Sequence, residues 1–318
     1  MKKQLVLIFF IASFCLSAQD VHFTQFNKST FFLNPSLLFI AKKDYKFSLQ
    51  RRSQWNTVGK PFNTFAASIE RKNILPKNSF GVQFLNDAAG EAEFKTTGLS
   101  AVYSREVILN SKYNINLGLG VGFFQRSLEF DKLIFQETEN YPNINFWFPE
   151  INIGGSSRYV VNNRLYIVSG ASFFHINKPK QSFLGNYESR LDSKTNLHLL
   201  TNYSVNKKID FSPALLFSKQ NKIQELVCIF DVTYDLRFKK TRLKSGLGYR
   251  WKDAMIYNFG IEKDDFEFIV SYDLNTSSFN QATNGHGAVE FFLCYIWDYK
   301  KTKDLKKKTY IDTCPKYL

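Results

Sequence analysis

Apolar side chains recur at every second position through much of the chain, in runs punctuated by Gly, Asn, Asp and Ser. Residues 114–124, "NINLGLGVGFF", show the pattern cleanly: Ile115, Leu117, Leu119, Val121 and Phe123 alternate with Asn114, Asn116, Gly118, Gly120 and Gly122. A period of two puts successive side chains on opposite faces of a strand, so one face is oily and the other small or amidic. The same reading gives about fourteen strands, near 44–52, 62–71, 78–87, 96–107, 113–126, 150–160, 164–175, 193–204, 208–218, 224–235, 242–250, 255–263, 265–274 and 286–297. In the eighth, Thr195, Leu197, Leu199, Thr201 and Tyr203 oppose Asn196, His198, Leu200, Asn202 and Ser204. In the eleventh, Leu243, Leu247, Tyr249 and Trp251 oppose Lys244, Gly246, Gly248 and Arg250. Pro213 falls inside the ninth, where it removes a ladder hydrogen bond.

A second sheet or a lipid bilayer can cover such oily faces, and the connections discriminate. If the first strand runs outward, both long connections fall on the outer side, roughly 23 residues at 127–149 and roughly 17 at 176–192, while inner ones stay under about eight. Long outer loops, short periplasmic turns and an even strand count are the pattern of a transmembrane barrel. The expected fold is therefore all-β: an outer-membrane antiparallel β-barrel of about 14 strands over 44–297. In it, Leu119→Arg on the lipid face should block assembly, whereas Asn116→Arg, facing the lumen, should be tolerated far better. Phe124, Leu200 and Phe292 lie on the interior face and favour a filled lumen.

Composition agrees. Aromatic residues make up 17% of the chain, including 33 Phe and 16 Tyr, which suits aromatic girdles at two membrane interfaces. The mean hydropathy of −0.26 is normal for a barrel, where only alternate residues are apolar. The start, "MKKQLVLIFFIASFCLSAQD", reads as a signal peptide over 1–18, cleaved between Ala18 and Gln19. The remaining organisation is an N-terminal periplasmic segment at 19–43, the barrel, and a basic periplasmic tail at 298–318. Losing Lys2 and Lys3 lowers the formal charge from +14 to +12. For an exported chain with no nucleic-acid-recognition fold, that charge points to membrane lipid or an acidic protein, not nucleic acid. Cys228, Cys294 and Cys314 form no CxxC pair, and no His stands at ligand spacing, so neither a disulfide framework, a metal nor a cofactor is expected.

Two blocks carry more than periodicity. The first is "AQDVHFTQFNKSTFFLNPSL" with "RRSQWNTVGKPFNTF"; the second is "VSYDLNTSSFNQATNGHGAVEFFLCYIW" with the terminal "TCPKYL". Asp20, Phe23, Gln25, Phe26, Asn34 and Pro35, then Arg52, Gln54, Trp55, Gly59, Lys60, Pro61 and Phe62, then Tyr272, Asp273, Gly285, His286, Cys314 and Pro315 resemble the PorP/SprF family of the Bacteroidetes type IX secretion system. One departure is Gly287, where the family has an acidic residue directly after its His; Glu290 follows three positions later. The resemblance implies an outer-membrane accessory of secretion and gliding machinery that docks, delivers or retains an adhesin-like surface protein bearing a C-terminal secretion domain. It also implies contact with periplasmic secretion components, for which the basic tail is a candidate.

Within that frame Arg51, Arg52, Gln54, Trp55, Lys60 and Pro61 are the candidate docking residues. Arginine offers a fixed fork for carboxylates, and Trp an aromatic anchor. The plainer reading is a girdle Trp with arginines facing lipopolysaccharide. Asn34–Pro35 reads as a turn leading into the barrel or a plug contact. His175, His198 and His286 lie on separate strands with no Ser–His–Asp pattern, so they read as lumen residues and not as a hydrolase site. A passive or hydrophobic-solute channel is the alternative function, and an outer-membrane phospholipase a third, for which no catalytic set is found.

Overall fold

The computed structural model describes residues 20–90, 94–129, 143–181, 189–278 and 280–299. Fourteen strands form: β1 Tyr45–Gln54, β2 Phe62–Leu75, β3 Asn78–Ala89, β4 Phe94–Ile108, β5 Tyr113–Leu128, β6 Ile144–Asn162 and β7 Leu165–Phe174. They continue with β8 Lys194–Ser204, β9 Ile209–Gln220, β10 Ile223–Asp235, β11 Thr241–Arg250, β12 Ala254–Lys263, β13 Phe266–Asn275 and β14 His286–Trp297. Each pairs antiparallel with its neighbours in sequence, and β1 pairs with β14, which closes the barrel. Closure removes every sheet edge, as lipid requires of a spanning sheet. Tyr45 and Trp297 meet at the seam with their rings stacked 5.0 Å apart.

The alternation read from sequence sorts the two faces. Along β5, Leu117, Leu119, Val121 and Phe123 are exposed on the outside, while Asn116, Gly120 and Phe124 are buried inside. Connections between β2 and β3, β4 and β5, and the later inner pairs are two to five residues long, whereas the outer ones reach nineteen, between β7 and β8. The other long outer connection is shorter than expected, because β6 begins at Ile144 instead of near 150. Aromatic rings collect at strand ends: Trp147 stacks on Phe123, Trp251 meets Tyr249 edge-on, and Trp55 meets Phe62. Pro213 stays within β9 and has its local consequence. Pairing with β10 is continuous through it, but pairing with β8 lapses between Leu200–Ala214 and Tyr203–Phe211.

The lumen is not open. Residues 20–40, expected as a periplasmic segment, pass through the barrel as a plug. Asp20 meets His175 and Gln220 near the outer end, and Lys42 and Lys43 meet Glu262 and Asp265 near the inner end. The chain therefore runs from the outer mouth to the periplasmic side before entering β1. Phe23, Phe26, Phe31, Leu33, Leu37, Leu38 and Phe39 are buried, several of them against interior-facing Val102, Phe124, Val168 and Ile256. A periodic reading of strands misses this because the plug is irregular: two turns of 3-10 helix, Phe26–Lys28 and Pro35–Ile40, flank the single helical turn Thr30–Leu33.

Candidate functional site

Two sets of contacts hold the plug. The middle set is built on Asn34 and Pro35. The Asn34 side chain donates to the backbone carbonyls of Gly155 at 3.1 Å and Ala171 at 2.9 Å, and its Oδ1 accepts from the Ser36 amide at 2.9 Å. It thus caps the Pro35–Ile40 turn while tying it to the wall, and proline at the first position suits that turn. Gly118 and Gly154 permit the approach, since a Cβ on either would collide with Pro35, Ser36 or Asn34. Ser172 and Asn196 donate to the plug carbonyls of Leu33 and Phe32. Asn34–Pro35 is a plug contact.

The upper set is ionic. Arg52 is 1% exposed and points into the lumen, where its Nη2 lies 2.8 Å from Asp273 and its Nη1 bonds Thr24 of the plug and faces Glu290 at 3.5 Å. Glu290 accepts the backbone amides of Thr24 at 2.6 Å and Gln25 at 3.1 Å, and the Gln50 amide at 2.9 Å. Arg250 reaches Asp273 at 3.0 Å and Glu225 at 2.9 Å. Two guanidiniums and three carboxylates from β1, β10, β11, β13 and β14 thereby converge on one turn of plug. Buried charges are tolerable when paired and hydrogen-bonded in this way.

A third contact latches the mouth. His175, just beyond the outer end of β7, places Nε2 2.5 Å from Asp20 and Nδ1 3.4 Å from Glu150. Burial works against the imidazolium, but the Asp20 carboxylate outweighs it and raises His175 to about 10. Burial would likewise raise Asp20, and His175 instead holds it well below the usual carboxylate range. The sign follows. The raised His175 stabilises the closed latch below its free value of 6.5 and loses that contribution as pH rises through about 10. Asp20 contributes above its free value and loses it in acid. Protection of the amides at residues 20–24, their exchange taken relative to the base-catalysed rate of an unfolded chain, is expected to stay high from neutral pH to about 9 and to fall above 10; His175→Asn should be poorly protected throughout. A flat profile to pH 11 would contradict this latch.

The docking candidates separate. Arg51 and Arg52 are adjacent on a strand, so they face opposite ways: Arg51 is exposed on the outside beside Phe65 and Phe291, and Arg52 is inside. Gln54 closes β1, and Trp55, at φ 56°, opens the exposed outer loop that continues through Lys60 and Pro61. His286 also departs from expectation. A bulge at the Asp273–Leu274 register shift turns it off the lumen, and its Nδ1 meets the Tyr272 hydroxyl at 2.8 Å on the exposed side. Gly285, at φ 82°, makes the turn into β14. His198 is buried inside, as expected. Ala18, Gln19, Cys314 and Pro315, with most of the 298–318 tail, lie outside the described residues. Thr24, Ser36, Glu225 and Arg250 were not singled out as site residues; lumen-side parity was the signal available for Arg250. Among the described residues no group of His, Cys, Asp and Glu is placed to hold a metal.

The residues carrying the family resemblance are thus largely plug and seam. The model of the type IX secretion system membrane protein PorP/SprF matches residues 16–295. The chain belongs to the PorP/SprF family. Among solved structures it is similar to the toluene transporter TodX of Pseudomonas putida, with a TM-score of 0.51 and 11% identity over 82% of this chain and 91% of that one. A FadL homologue of Pseudomonas aeruginosa gives 0.50 and 7%, over 82% and 92%. At such identity the likeness is one of fold alone. A search among curated proteins finds no match. Family and fold together make this PorP/SprF member an outer-membrane barrel of the type IX secretion system.

Proposed function

We propose that this barrel is a platform that retains or delivers a secreted surface protein at its outer rim, without passing cargo through its lumen. The observation that carries the reading is the plug, fixed to four strands by the Arg52–Asp273–Glu290–Arg250 network around Thr24. A lumen anchored in that way suits a holder better than a conduit. The docking surface in this reading is Arg51, Trp55, Lys60 and Pro61 on the outer side, with Arg52 acting beneath it to fix β1. A half-buried aromatic beside exposed cations is the composition of an interface anchor. A passive solute channel would require the plug to leave. The reading assigns no catalysis: His175 faces the Asp20 and Glu150 carboxylates, and His286 meets the Tyr272 hydroxyl.

The triple change Arg51→Ala, Trp55→Ala and Lys60→Ala should leave the heat-modifiable folded form intact, because none of the three faces the plug. It is expected to release one surface protein into the medium, at a cost of roughly 2–4 kcal/mol of binding if Trp55 is the hot spot. Secretion of other cargo should not change. A folded triple variant that retains its surface protein at the normal level would remove the rim from the mechanism.

A further inference from the structure

A cavity of about 650 Å³ lies between the inner end of the plug and the wall, near the periplasmic ends of the strands. Most charges around it are already matched. Lys28 and Lys244 pair with Glu267, Arg242 pairs with Asp210 and Glu262, and Asp231 accepts from Asn27 and Asn258. Two cations are different. Among the described residues, Lys72 on β2 donates to the Ala41 carbonyl at 3.2 Å and makes no ion pair. Arg158 on β6 makes none either: its guanidinium stacks over Tyr166 at 4.8 Å, and its Nε is buried without a hydrogen-bond partner. Glu106 and Asp44 act on Lys72 through space without touching it, Glu106 accepting from Asn114 and Asp44 from the Tyr299 amide.

We propose that Lys72, Arg158 and Tyr166 form a binding site for a phosphate-type oxyanion entering from the periplasm. Among the described residues neither cation has a carboxylate in contact, and the cavity lining as a whole carries six cations against Asp210 and Asp231, a balance that an oxyanion would match. A guanidinium seated over an aromatic ring is restrained, and its fork fits two oxygens of a tetrahedral anion. Lys72 adds a point charge, and the Tyr166 hydroxyl is a further donor. The surrounding polar wall and the access from the inner side suit a free or monoesterified phosphate rather than an apolar solute. The site stands on the opposite side of the plug from the proposed docking rim, so each can fail without the other.

Calorimetric titration of the purified full chain in detergent, with inorganic phosphate as the probe and chloride as the background salt, tests this. Saturable one-site binding is expected. Arg158→Ala and Lys72→Ala should each weaken it at least tenfold, and Arg158→Lys should weaken it less than Arg158→Ala. Lys112→Ala, in a periplasmic turn outside the cavity, should change nothing. Heat-modifiable migration on gels verifies that each variant is folded. A parallel titration with glycerol phosphate separates the sources: tighter binding than inorganic phosphate assigns the site to an esterified headgroup, and weaker binding assigns it to the free ion. No saturable binding by the wild type, or binding indifferent to both alanine variants, overturns the proposal.

Discussion

Replacing Arg52 by leucine is expected to loosen the plug and destabilise the closed barrel by roughly 3–5 kcal/mol, the cost of stranding buried charges by removing one partner. Asp273 and Glu290 are 2% and 0% exposed, so neither can recover its lost cation from water. Arg250 still holds Asp273, but among the described residues only Arg52 pairs with Glu290, and Glu290 carries the Thr24 and Gln25 amides. The measurement is urea-dependent loss of the heat-modifiable form, read beside protease cleavage within residues 20–40. Arg52→Leu combined with Glu290→Gln should be less damaging than Arg52→Leu alone, because the second change removes the stranded charge. A single variant as stable as wild type, with its plug protected, would mean that the network does not hold the seam.

Leu119→Arg carries the next largest effect. Leu119 is 47% exposed on the outer face of β5 at mid-strand, where an arginine costs roughly 2–4 kcal/mol in the bilayer. Folding into vesicles should fail or slow sharply, and the gel shift of the folded form should be lost. Asn116→Arg, expected from the sequence to be tolerated far better, is now expected to be harmful as well. Asn116 is 0% exposed on the face the plug covers, two residues from the Gly118 contact with Pro35, so the lumen offers no water for a new charge. The two variants should nevertheless differ. Removing the plug residues should relieve Asn116→Arg and leave Leu119→Arg defective.

That contrast shows what the sequence carried and what it did not. Strand positions and faces were legible because lipid imposes a period of two on every strand, and Leu119, Leu197 and Leu247 all emerge on the outside. Even the separation of Arg51 from Arg52 was available from that period, although both were grouped as one docking pair. The plug was not legible, because residues 20–40 form short irregular turns whose order comes from the wall around them. Asn34 and Pro35 stood out as motif residues, but their partners at Gly118, Gly154 and Ala171 are more than eighty positions away. His286 escaped for a related reason. A bulge inverts facing by one residue, and nothing in "NGHGAVEF" marks it beyond the glycines.

Covalently fixing the plug tests the platform most directly. The Ser36 and Ser156 hydroxyl oxygens are 2.7 Å apart, one on the plug and one on β6, so Ser36→Cys with Ser156→Cys places two thiols within reach of a disulfide. Cells carrying the double variant would be oxidised, the cross-link verified by mass, and the surface protein that depends on this barrel quantified on intact cells against each single-cysteine control. The platform account expects display at the wild-type level with the plug locked. Display that is lost on oxidation and restored on reduction would contradict it, and would show that the plug has to leave the lumen for the barrel to work.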